Sequence, residues 1–192
     1  MTKTYSLGEV FRQYLDSEAI SEKIRTIGEL IVSGNLSQES FDALARAMEK
    51  AGTRILKETL LDLTLVFARK CVENHELAES EMADLDTLIA IFRIGEGDFY
   101  ELRRDAVRQV IGAQVMWILR NWHVTVEEEV LQRDLQRLFG LGYDQYVALV
   151  RPLAKECIEE LESEKLATQD LKELALIDSH IRNLRGVFLV AR

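Results

Sequence analysis

One pattern occurs twice in this chain, 47 residues apart, and any fold must accommodate both copies. With Asn74 set against Asn121, Leu77 meets Val124, Glu81 meets Glu128, Leu88 meets Leu135 and Phe92 meets Phe139. Ile94 then meets Leu141, Gly95 meets Gly142, Phe99 meets Tyr146 and Leu102 meets Leu149. The spacing predicts two pseudo-repeated helical units, at about 60–111 and 107–158, packed on each other in a compact helical bundle. A period of this length also suits a helical solenoid, but two units are too few to bury a stacked core.

Helical periodicity runs through the rest of the chain. Ser6 and Glu9 stand at capping-box spacing before Leu7, Val10, Phe11, Tyr14 and Leu15, which share one face of a short helix over 6–16. That face must dock on the body of the protein, on a partner or on a second copy. A second helix is predicted from about Glu18 to Ser33 with Gly34 as its terminator, and a third from the Ser37 cap. Gly52 breaks that helix, and the apolar run Ile55 to Cys71 reads as a central helix buried on more than one side. A helix over 78–93 follows, then a long one from Phe99 to Arg120 with Leu102, Ala106, Val110, Ala113 and Trp117 turned inward. Beyond the second turn, a helix from about Asp144 to Glu162 carries the only proline, Pro152, which predicts a kink or a break near Arg151. The last helix should open at Thr168 and bury Leu171, Leu174, Ile177 and Ile181. No stretch alternates at period two long enough for a sheet, so the fold class is all-α. The expected organisation is an N-terminal helical segment (1–52) packing on a duplicated core (53–163), with a C-terminal helix and apolar tail (164–192).

Composition narrows the function classes. A net charge of −9 argues against a nucleic-acid surface, which needs clustered Lys and Arg, and against an anionic membrane surface. No apolar run reaches the length of a membrane span, and Met1-Thr2-Lys3-Thr4-Tyr5 does not open a signal peptide. The two cysteines, Cys71 and Cys157, sit among aliphatics and read as buried free thiols of a cytoplasmic protein. Catalytic templates are missing: there is no Gly-rich phosphate loop, no His-Glu-x-x-His, no Cys-x-x-Cys and no EF-hand loop. The expectation is therefore a protein without enzymatic activity.

Two inter-helix turns carry the sharpest polar groups. Asn74 and Glu81 flank one, Asn121 and Glu128 the other, and an amide oxygen with a carboxylate suits Ca²⁺ or Mg²⁺. The same residues also serve as helix punctuation: Asn readily takes the left-handed terminating conformation, and Glu in a first turn caps and meets the helix dipole. Thr125 accounts for Glu128 as the partner in a capping box, whereas Ala78 has no side-chain acceptor to complete one with Glu81.

The unit formed by a long apolar helix, a turn, aliphatic-x-x-x-Glu and a helix ending in Phe-x-aliphatic resembles the TerB-like tellurite-resistance superfamily over about residues 55–160. The matching segments run from Glu73 to Glu81 and from Arg120 to Glu128. The Glu positions agree with the family motif Ala-Asp-Gly-x-aliphatic-x-x-x-Glu, while Asn74 and Asn121 replace its Asp and both of its Gly positions are filled. The resemblance implies an all-helical protein of two pseudo-symmetric halves, acidic residues that bind divalent cations, and a place in stress-response or membrane-associated complexes. The missing catalytic templates, the amphipathic first helix and the apolar tail point to a protein–protein interaction module or a self-associating protein, with Leu7, Val10, Phe11, Tyr14, Phe188 and Leu189 as its contact residues. The alternative is a divalent-cation sensor built on the paired turns.

Overall fold

The computed structural model describes residues 4–17, 20–120 and 133–186, with 118–120 described by backbone alone. The protein is all-α, with no strand among the described residues. Its helices are α1 (Leu7–Leu15), α2 (Glu22–Val32), α3 (Gln38–Lys50), α4 (Lys57–Cys71), α5 (Glu79–Ile91), α6 (Asp98–Leu102) and α7 (Arg104–Arg120). They continue with α8 (133–138), α9 (Tyr143–Ala167) and α10 (Leu171–Leu184). The chain forms two compact units, one of Met1–Val107 with Leu138–Gly140, the other of Arg108–Arg137 with Leu141–Arg192.

Local chemistry places most helix ends. The Ser6 hydroxyl accepts the Glu9 N–H at 3.3 Å, and the Glu9 carboxylate accepts the Ser6 N–H at 3.3 Å, completing the expected capping box. Ser37 caps α3 by accepting the Ser40 N–H at 3.2 Å. The second helix starts at Glu22 rather than Glu18, because the Ser21 hydroxyl caps it by accepting the Ile24 N–H at 3.4 Å. Gly34 and Gly52 end α2 and α3 at positive φ, as their positions after the apolar stripes predict.

In the first unit α1 packs on α2 and α4, and α4 on α5. Leu61, Leu63, Leu65, Phe67, Ala68 and Cys71 of α4 are all buried, so this helix is covered on more than one side. A Cβ at Gly28 would stand 2.7 Å from Leu15 Cδ2, so a larger residue there would make the Leu15 side chain at the end of α1 turn aside. Phe41 packs on Phe92 with ring centroids 5.1 Å apart, and Phe99 meets Phe139 edge to face at 5.2 Å.

Several expected features take a different form. The long helix from Phe99 is interrupted at Arg103 (φ −138°), separating α6 from α7. Arg103 there makes a two-pronged bond to Asp62 of α4, at 2.5 and 2.8 Å. Leu102, Ala113 and Trp117, expected inside, are exposed. In the second unit α9 continues through Pro152, whose exposed position leaves the freed carbonyl one turn back open to water. The last helix opens at Leu171, not Thr168, because Asp170 accepts the Lys172 N–H at 2.8 Å and caps it. Its buried stripe is Ile177, His180, Ile181 and Leu184, with Leu171 in solvent. Two ion pairs tie α10 to α9, Lys165 to Asp178 at 2.6 Å and Arg185 to Glu162.

Candidate interaction surfaces

The α4–α5 turn is closed by its own side chains. A short 3₁₀ turn, Val72–Asn74, leads from α4, and the residue in the left-handed conformation is His75 (φ 62°), not Asn74. The Asn74 side-chain oxygen instead accepts the Glu76 N–H at 3.2 Å, an Asx turn that places His75 at the reversal. Glu81, 1% exposed, accepts the Ala78 N–H at 2.9 Å with one carboxylate oxygen and the Tyr5 N–H at 2.8 Å with the other. Leu7 donates its N–H to Asp84 at 3.3 Å, and the Lys70 ammonium lies 5.0 Å from the centre of the Tyr5 ring. The carboxylate expected to face a cation is thus engaged with backbone donors, one of them from the start of the chain. Asn121 and Glu128 lie outside the described residues, as do Phe188 and Leu189. Among the described residues no three His, Cys, Asp or Glu side chains are grouped so as to hold a metal ion.

The apolar face of α1 is also occupied. Val10 and Phe11 are buried in the first unit, with Leu7 and Tyr14 half-buried, so the helix docks in cis. Cys71 and Cys157 are buried free thiols, as expected. Burial chiefly, with the Glu81 and Asp84 charges behind it, pushes the Cys71 thiol well above its ordinary range and holds it in the unreactive protonated form.

An exposed apolar surface lies on the α9–α10 hairpin, and it includes Leu171, which the sequence pattern assigned to the interior. Leu166 is 90% exposed, Leu171 81% and Leu176 57%, in the segment that closes α9 and opens α10. Seven carboxylates against two lysines lie between Glu156 and Glu173. The hairpin therefore offers apolar side chains in a strongly negative setting. The helical spacing of Leu171 with Leu174, Ile177 and Ile181 masked this, because periodicity marks a stripe without showing how far along the helix the neighbour extends.

The helix end at Arg93 is the other feature missed. Phe92, Arg93 and Ile94 close α5 in a Schellman motif, with Ile94 donating to the Ile89 carbonyl at 2.9 Å and Arg93 to that of Ala90 at 3.1 Å. Arg93 takes φ 52°, a conformation that suits glycine, and Gly140, its counterpart at the same spacing, takes φ 56°. Leu141 likewise donates to the Gln136 carbonyl at 2.9 Å. Gly95 donates its N–H to Asp98 at 2.6 Å, and Gly142 donates its own to Gln145 at 2.9 Å. The left-handed Arg93 is held from two sides. Its guanidinium reaches both Asp42 oxygens at 3.0 and 2.8 Å, and its carbonyl accepts the Lys57 ammonium, which also pairs with Asp98 at 2.9 Å.

Among the described residues no helix is long and apolar enough to cross a membrane. No protein-family model, curated protein or solved structure matches the chain.

Proposed function

We propose that this chain is a non-enzymatic protein-binding module whose contact surface is the α9–α10 hairpin. The observation that carries the reading is the exposure of Leu166, Leu171 and Leu176 among the hairpin carboxylates. Covering each leucine is worth about 1.5–3 kcal/mol, enough for three of them to anchor a specific complex. The surrounding charge selects a partner that presents apolar side chains flanked by Lys or Arg, and it opposes a second copy of this chain docking through the same face. The likeness of residues 55–160 to TerB-like proteins adds a stress-response assembly as the setting in which such a partner would be met.

The test compares the intact chain with a Leu166→Gln, Leu171→Gln, Leu176→Gln variant in titrations against a basic amphipathic helical peptide, alongside light scattering. Saturable binding that weakens at least tenfold in the variant, and also weakens with added salt, supports the reading. Equal binding by both chains refutes it, as does a wild-type dimer that the variant abolishes.

A further inference from the structure

The first unit carries an open cavity of about 400 Å³, lined by Asp42, Ala45, Arg46, Glu49, Arg54, Ile55 and Arg93. Its volume lies within the range of small-molecule sites. Three guanidiniums gathered in one cavity are unexpected in a chain of net charge −9. On a helix, Asp42 would be the natural partner of Arg46 four residues on. Asp42 is already taken: both of its oxygens accept from Nη2 of Arg93, and one also accepts the Gln38 amide at 3.0 Å. The side chains of Arg46, Glu49 and Arg54 make no hydrogen bond or ion pair with the other described residues.

With Asp42 and Arg93 cancelling, the open charges of the cavity are two guanidiniums against one carboxylate. Arg93, which anchors one wall, is kept in a backbone conformation that a non-glycine residue adopts at a cost, and such strain is typical of binding sites. Guanidinium groups recognise planar or tetrahedral oxyanions through paired N–H donors. The geometry points to this cavity as a binding site for a small molecule bearing a phosphate or carboxylate group, held by Arg46 and Arg54. Ala45 and Ile55 supply apolar contact for the remainder of the ligand, and Glu49 lowers affinity for the oxyanion. This site lies in the first unit and is independent of the hairpin reading.

Calorimetric titration of the full chain with inorganic phosphate, and separately with succinate, at constant ionic strength provides the test. Saturable binding of either anion is expected, and the tighter of the two identifies the ligand chemistry. Arg46→Gln and Arg54→Gln should each weaken it about tenfold, the loss of a charge-assisted hydrogen bond. Glu49→Gln should tighten it about threefold by removing a like charge at the surface, a gain that misfolding cannot mimic. Saturation by neither anion overturns the proposal. So does binding that both arginine variants retain in full, because the anion would then sit elsewhere.

Discussion

The Glu81 carboxylate accepts the backbone N–H of Tyr5, 76 residues earlier in the chain, at 2.8 Å. Glu81 is buried, and its second oxygen caps α5 through Ala78, so one side chain both starts a helix and fastens the N-terminal segment. Glu81→Gln keeps one acceptor but turns an NH₂ group toward a backbone donor. It should cost about 1–3 kcal/mol in urea unfolding and speed amide exchange at Tyr5. Unchanged stability together with unchanged exchange would show that the contact holds nothing.

Gly140 and Gly34 both stand at positive φ, but only Gly140 is hemmed in. A Cβ there would lie 3.3 Å from Glu96 Cα, which is backbone and cannot turn aside, whereas Gly34 faces open space. Gly34→Ala should cost about 1 kcal/mol from conformation alone, and Gly140→Ala clearly more. Arg93→Gly relieves the same strain while losing an exposed ion pair with Asp42, so its net change should stay within about 1 kcal/mol. Thermal unfolding of the three variants ranks them.

Stability should fall at both ends of the pH scale, for different groups. The hydrogen bond from Lys57, with help from the Gly95 N–H, holds the Asp98 carboxyl below its usual 3.8. The stability it supplies is present above that value and is lost as the pH falls below it, and Asp98→Asn should blunt this loss. Burial raises the Cys71 thiol from its usual 9.0 and the Tyr146 phenol from its usual 10.0, so folding keeps protons that the unfolded chain releases. Their contribution is complete below those values and declines as the pH climbs past them. Denaturant midpoints across pH report both limbs. Iodoacetamide should label Cys71 only after unfolding.

The orientation of α10 gives a sharp contrast. Leu171→Gln and Leu176→Gln change exposed side chains and should alter stability by less than about 0.5 kcal/mol. Ile177→Ala, at a fully buried position, should cost about 2–5 kcal/mol. If Leu171→Gln proved as damaging as Ile177→Ala, the hairpin surface would be part of a core and the proposed contact face would be lost.

Much of the helical layout was legible because it is local. Ser6 with Glu9, Ser37, Gly34 and Gly52 act within a turn of where they stand, and the crowded apolar run of α4 announced a helix covered on several sides. The site was less legible. Asn74 and Glu81 were recognisable as turn residues, but a cation and a backbone N–H satisfy a carboxylate equally well on paper. Only the arrival of Tyr5 distinguishes them.

The amino-acid sequence alone determined that this chain is helical, where most of its helices begin and end, and that its two cysteines are buried. Those outcomes depend on capping groups, glycine conformations and apolar spacing, whose energies act over a few residues. Tertiary structure decided that α1 is spent on its own unit, that Leu171 faces water and that Arg93 is forced into a glycine-like turn beside Asp42. Each of these depends on which neighbour arrives from far along the chain, and the pattern of residues around a position does not encode that arrival.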